Sequence, residues 1–192
     1  MNDYHKRMDY VIRQVASLPT PRPYLLLLGN LERESPPILR LGNDLLGSDG
    51  FLAKTVPGTE VSPYYRAADL FVLASTNEGF GRVYVEALSH GLPCLAHDYT
   101  AARYTLGDHG LFGDFRTEGG LANLIRGYRL DEETEAKRAI RHKDALDRFG
   151  WDQLQNDYVE MLRHCAATSP ESKQNSRQTR VFKPRRKTEL VS

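Results

Sequence analysis

Along the chain, short unbroken apolar runs alternate with stretches in which apolar residues recur every three or four positions. Residues 6–17 place Met8, Val11, Ile12 and Val15 at helical spacing, which predicts an amphipathic helix with one face on a core. Pro19, Pro21 and Pro23 end it. The run "YLLLLG" at 24–29 is continuously apolar and closed by glycine, which suits a strand buried on both faces. A second helix is predicted over 36–46, with prolines where a first turn tolerates them. "FLAKTV" at 51–56 reads as a strand, and 62–68 as a short helix with Ser62 as its cap and Pro63 at its first position. "DLFVLAS" at 69–75 is the third strand, 81–91 a helix stopped by glycine, and "PCLAHD" at 93–98 the fourth strand. Helices follow over 117–129, 131–148 and 151–165. From residue 167 the chain is rich in Ser, Gln, Lys and Arg without apolar periodicity, the composition of a disordered tail. Strands alternating with helices of this length predict an α/β fold, a doubly wound parallel sheet covered on both faces.

Composition narrows the classes without choosing among them. A chain of 192 residues with 40% hydrophobic content buries one substantial core, so one domain over 1–166 with a tail over 167–192 is expected. The 26 basic and 25 acidic residues nearly cancel, and this balance calls for no nucleic-acid partner. Seven of the basic and two of the acidic residues lie from Thr168 onward, so the tail carries +5 and the body −4. Within that tail "KPRRK" (183–187) reads first as a solvated segment, with anionic lipid as the one specific partner it suits, a weak peripheral membrane contact. No apolar run is long enough to span a bilayer, and "MNDYHKRMDY" is too polar for a secretory signal. Cys94 and Cys165 read as reduced thiols, which fits a cytoplasmic protein. The histidines His5, His90, His97, His109, His142 and His164 show no metal-ligand spacing, and no metal or cofactor is expected.

Candidate chemistry concentrates in "STNEGFGRVYVEALSHGLP", 75–93, which leaves the third strand and enters the next helix. Open parallel sheets bind ligands beyond the carboxyl ends of their strands, and 75–81 occupies such a position. A helix beginning near Gly81 presents the unpaired backbone N–H groups of Gly81, Arg82 and Val83 and the positive end of its dipole, which suits a phosphate. Gly79 and Gly81 let the backbone approach a ligand closely. Glu86 stands roughly 7–8 Å further along the axis at 1.5 Å per residue, so Glu78 and Glu86 flank the anion site. Like charges repel a phosphate, but an ionised carboxylate accepts from a diol. Phosphates in the middle and a sugar at each end describe a nucleotide-sugar. The plainer readings are an Arg82–Glu86 surface ion pair, Glu78 as an electrostatic helix cap, and the two glycines as a turn.

The segment "NEGFGRVYVEALSHGLPCLAHD" resembles the signature of glycosyltransferase family 4, retaining sugar-nucleotide enzymes of GT-B fold. "HKRMDYVIRQVASL", "YLLLLGN", "YYRAADLFVLAS" and "FGWDQLQNDYVEML" are similar to further segments of that family, so the likeness runs from about residue 5 to 164. It implies a Rossmann-like C-terminal half that binds a nucleotide-sugar donor. On this likeness Glu78 touches the donor sugar and the amides of Gly79, Phe80, Gly81, Arg82 and Val83 hold sugar and distal phosphate. Glu86 accepts from the ribose hydroxyls, Lys6 neutralises the diphosphate, and residues near Val56 face the nucleobase. Glu78 and Lys6 are the catalytic candidates. Family members carry an acceptor-binding domain ahead of this one, and an arginine a few residues before the lysine. Here only "MNDYH" precedes Lys6, so the entering strand is expected to be missing. The chain is then a fragment, one partner of a separate chain supplying the first half, or a noncatalytic nucleotide-sugar-binding or partner-binding module. Turnover by this chain alone is not expected. An epimerase of the same fold lacks placeable acid and base groups, and no Gly-x-Gly-x-x-Gly follows the first strand to support a dinucleotide site.

Overall fold

The structure, a computed structural model, describes residues 6–30 and 35–167. His5 and the basic segment 183–187 lie outside the described residues, as does all of the expected tail beyond Ala167. The chain divides after Gly150 into two units. The first alternates helix and strand: α1 (Met8–Ala16), β1 (Leu25–Leu28), α2 (Ser35–Leu46), β2 (Phe51–Lys54), α3 (Ser62–Ala67), β3 (Phe71–Leu73), α4 (Arg82–Ser89), β4 (Cys94–His97), α5 (Thr100–Leu106), β5 (Gly110–Gly113), α6 (Gly120–Gly127) and α7 (Glu135–Phe149). The described residues of the second unit form the helix α8 (Trp151–Ala167), in which the Trp151 and Tyr158 rings lie 5.5 Å apart.

Among the described residues all strand pairing is parallel, as the buried apolar runs predict, but it forms two sheets rather than one. In the first, β1 pairs with β2, Leu25 standing opposite Phe51. In the second the order is β3-β4-β5, with Leu73 opposite Ala96 and Ala96 opposite Phe112. The central strand β4 is buried along its whole length, and its residues alternate between two cores. Cys94 and Ala96 pack with Tyr84, Ala87 and Leu88 of α4 and with Ala145 of α7. Leu95 packs on the other face with Val11 and Val15 of α1 and Leu121 of α6. Helices therefore cover both faces, as a doubly wound sheet requires.

Helix α1 joins the two sheets. Its Ile12 packs with Leu27 and Phe51 of the first and with Ile38 of α2, while Tyr10, Val11 and Val15 pack with Leu95 of the second and with Ala74 and Phe115, just beyond β3 and β5. A stripe of apolar residues wider than one seam lets a single helix serve both. Two elements go beyond the sequence pattern: α5 is short and carries Arg103 and Tyr104 among its apolar positions, and β5 is four partly buried residues bounded by glycines. Ser62, expected to cap α3, is instead its first residue, with Val61 before it as N-cap. The Ser62 hydroxyl turns instead toward His90 Nε2, at 2.9 Å.

Candidate functional site

Helix α4 is built to present its start. Gly81 is its N-cap in the left-handed region, φ 73 and ψ 58, and the Tyr84 N–H donates to the Gly81 carbonyl at 2.8 Å. A Cβ on Gly81 would meet the Tyr84 ring at 2.6 Å, so both the dihedral and the packing require glycine there. An N-cap glycine brings no side chain to the first amides, and the N–H groups of Arg82 and Val83 have no intrahelical acceptor. Tyr84, Ala87 and Leu88 form the buried face and leave Arg82 and Glu86 exposed. At the far end Gly91 stops the helix with φ 75, and the Leu92 N–H returns to the Ala87 carbonyl at 3.0 Å.

Before α4, Glu78 is half-buried and forms an ion pair with Lys6. The two are 72 residues apart in sequence, one arriving ahead of α1 and the other after β3. Arg7 makes this meeting local: it sits in the left-handed region at φ 50 and ψ 47, where non-glycine residues are uncommon. Its guanidinium holds the turn by donating to the Phe115 carbonyl at 2.6 Å and lying 4.4 Å from the centre of the Tyr10 ring. The turn delivers Lys6 to the carboxyl end of β3. Phe80 is partly exposed, its ring edge-on to Phe149 at 5.6 Å and its carbonyl accepting from the Thr105 hydroxyl at 2.8 Å. That bond ties the Gly-Phe-Gly turn to α5. Gly79 is different from Gly81, since a Cβ there meets nothing within 4 Å.

Glu86 accepts a hydrogen bond from the Tyr65 hydroxyl of α3 at 3.0 Å. An Arg82–Glu86 pair is not among the ion pairs of the described residues. Burial, and then the neighbouring Glu86 carboxylate, push the Tyr65 hydroxyl pKa up, so it stays a donor. Val56 lies in the loop after β2, half-buried, at the end of another strand. The structure thus brings Lys6 to Glu78 and sets Gly79 through Glu86 around the start of α4, with Val56 in the loop that leaves β2.

Other groups at these strand ends escaped the sequence reading. Among the described residues the buried Ser75 hydroxyl and His97 Nε2, following β3 and ending β4, have no protein partner, and the buried Tyr99 hydroxyl after β4 lies beside that of Tyr84. Glu78 helps burial raise the Tyr99 hydroxyl pKa, which places the carboxylate in that neighbourhood. His97 Nδ1 accepts from the Phe115 N–H at 3.1 Å, a bond linking β4 to the loop after β5. Spacing alone signals none of these, since each depends on which strand lies beside which. A hollow of about 560 Å³, bounded by Pro93, His109, Leu111, Leu124, Tyr128 and Arg141, opens at the other end of β4 and β5. There Arg141 is paired with Glu133 and Arg129 with Glu132, whereas the α4 end brings together Lys6, Glu78 and a helix start that no side chain caps. Among the described residues no cluster of His, Cys, Asp and Glu could hold a metal, and no helix is long and apolar enough to cross a membrane. Cys94 and Cys165 are free thiols, and burial raises the pKa of Cys94.

The sequence profile described as glycosyl transferases group 1 matches residues 2–144. Over 160 residues the chain is 28% identical to the lipopolysaccharide core biosynthesis glycosyltransferase LpsE of Rhizobium meliloti, covering 82% of this chain and 46% of that protein. Among solved structures it is similar to sucrose-phosphate synthase from Thermosynechococcus elongatus, with a TM-score of 0.76 and 22% identity over 87% of this chain and 44% of that one. It is also similar to Anabaena HepE in complex with UDP-glucose, with a TM-score of 0.72 and 23% identity over 85% and 46% of the two chains. The chain spans less than half the length of each of these relatives. The architecture is that of a Rossmann-like half of a GT-B fold.

Proposed function

The chain belongs to the glycosyl transferases group 1 family, and on that premise we propose that it binds the nucleotide-sugar donor in a retaining glycosyl transfer of the family 4 type. The observation that carries this reading is the Lys6–Glu78 ion pair at the carboxyl end of β3, beside a helix whose first amides no side chain caps. A lone carboxylate there would repel a diphosphate. Paired with Lys6 it is neutralised, and the ammonium keeps donors for a phosphate oxygen.

In this reading the diphosphate rests on the amides from Gly79 to Val83, with the α4 dipole favouring its charge. Glu78 orients the hexose and Glu86 accepts from the ribose hydroxyls. The nucleobase lies toward Val56. When the bond from the anomeric carbon to the phosphate oxygen breaks, its electron pair stays on the departing nucleoside diphosphate. Lys6 and the amides stabilise that charge without a metal. The acceptor hydroxyl then bonds to the anomeric carbon on the face the phosphate leaves, and its proton passes to an oxygen of the departing diphosphate. Acceptor recognition falls to a part of the longer relatives that this chain does not span, supplied by a separate chain or by the same polypeptide.

Calorimetric titration of the chain with UDP tests the reading. Glu86→Ala removes charge-assisted bonds to the diol and is expected to weaken UDP binding about 10- to 100-fold, with the fold retained. Equal affinity for both proteins would show that Glu86 does not hold the ribose. Turnover of donor sugars by this chain would exclude the noncatalytic binding module.

A further inference from the structure

Glu86 projects from the exposed side of α4, where a glutamate has three rotatable bonds and water on most sides. What restrains it comes from α3. Tyr65 donates its hydroxyl to Glu86 Oε2 at 3.0 Å. The Tyr65 ring is itself fixed, stacked on His90 with centroids 5.0 Å apart and planes at 23°, and set against Phe71 at 5.9 Å.

His90 is pinned on both ring nitrogens. Nδ1 lies 2.8 Å from the Glu86 carbonyl, which only accepts, so Nδ1 carries the hydrogen in that contact. Nε2 then accepts from the Ser62 hydroxyl at 2.9 Å, and Ser62 in turn accepts from Arg66 at 2.8 Å. A chain of bonds therefore runs from Arg66 through Ser62 and His90 to the Glu86 main chain, while Tyr65 takes the Glu86 side chain. Both ends of one residue are held by the same short helix and the ring stacked on it.

We propose that Tyr65 is a positioning residue for Glu86, its hydroxyl fixing the carboxylate plane so that Oε1 and the remaining lone pair of Oε2 face a ribose diol. The inference rests on Glu86 being the ribose acceptor, as proposed above. A carboxylate oriented in advance does not lose rotamer freedom when the diol arrives, so the Tyr65 bond contributes to nucleotide affinity although Tyr65 does not touch the nucleotide. The Ser62–His90 pair keeps the Tyr65 ring in place.

The full chain is titrated with UDP and with 2′,3′-dideoxyuridine diphosphate, which lacks the diol. Tyr65→Phe keeps the ring against His90 and Phe71 and is expected to unfold at the wild-type urea midpoint. It is expected to bind UDP about five- to tenfold more weakly and the dideoxy nucleotide as the wild type does. In a Glu86→Ala background it should cause no further loss, because the group it positions is gone. If Tyr65→Phe binds UDP like the wild type while Glu86→Ala does not, the positioning role is overturned and the ribose reading stands. If Tyr65→Phe weakens both nucleotides equally, or shifts the urea midpoint, its role is structural and the proposal is overturned. A wild-type chain that binds the two nucleotides equally, or binds neither, overturns the ribose reading and the proposal with it.

Discussion

At Gly79 and Gly81 a methyl group would meet different surroundings, and that difference separates the protein's own needs from those of a ligand. Gly81 is held at φ 73 with the Tyr84 ring 2.6 Å from an ideal Cβ, so Gly81→Ala is expected to cost about 1–3 kcal/mol of stability. Gly79 has nothing within 4 Å and no positive φ, and Gly79→Ala should leave stability within about 0.5 kcal/mol of the wild type. If its amide lies against a phosphate, the same substitution lowers UDP affinity about tenfold or more, because the methyl occupies space that only the ligand fills. Urea denaturation beside calorimetry reads both, and unchanged UDP affinity in Gly79→Ala would remove that residue from the phosphate cradle. The glycines, Glu78 and Glu86 were legible in sequence because turn chemistry and helix spacing act over a few residues. Lys6 meeting Glu78, and Tyr65 supporting Glu86, were not legible from spacing, since α1 and α3 reach the site only through tertiary packing.

Among the elements, α4 is held at its C-terminus by a group that a search for function passes over. Arg141 of α7 donates to Glu133 through both arms, Nη1 to Oε1 at 2.6 Å and Nη2 to Oε2 at 2.8 Å, and Nη1 also donates to the Gly91 carbonyl at 2.7 Å. Both side chains are about one-tenth exposed or less, at 10% and 8%. Removing one charge of such a pair strands the other, and Glu133→Gln is expected to cost about 2–4 kcal/mol in urea denaturation at neutral pH. Arg141 holds the Glu133 carboxyl below its ordinary pKa of 4.5, against the opposing effect of burial. A carboxylate with a depressed folded pKa contributes stability above the unfolded value, and that contribution is lost as pH falls through the folded one. The gap between wild type and Glu133→Gln should therefore be full at pH 7 and narrow below about pH 4.5. A gap that stays constant down to pH 3 would mean the pair contributes nothing through its charge. The helices themselves were readable where apolar residues recur at helical spacing over two turns or more, as in α1, α4 and α7. Helix α5 went unread because Thr, Arg and Tyr interrupt its apolar positions, and strand β5 because two of its four residues are glycine.

For the whole molecule, the apolar runs announced parallel strands buried by helices, yet they say nothing about which strand lies beside which. That ordering is where the structure adds most. The pairs β1-β2 and β3-β4-β5 share α1 as a common cover, and Leu25 of β1 packs into the same cluster as Val72 of β3. Among the described residues, neither β1 nor β3 has a strand on its second side. In β1 the Leu25 N–H donates to the Gly50 carbonyl at 2.9 Å, and just beyond the strand the Gly29 N–H donates to the Lys54 carbonyl at 3.2 Å. Alternation along a strand then points the amides of Leu26 and Leu28 away from β2. Likewise the Phe71 N–H donates to the Pro93 carbonyl at 3.0 Å, so the Val72 amide faces away from β4. Strand β4 has partners on both sides. Amide hydrogen exchange on the full chain should accordingly show Leu26, Leu28 and Val72 exchanging much faster than Leu25 and the residues of β4. An edge of this kind also pairs readily with any extended segment offered to it. Uniform protection across Leu25 to Leu28 and Phe71 to Leu73 would mean that those edges are covered in solution, and that the two sheets are bridged into one.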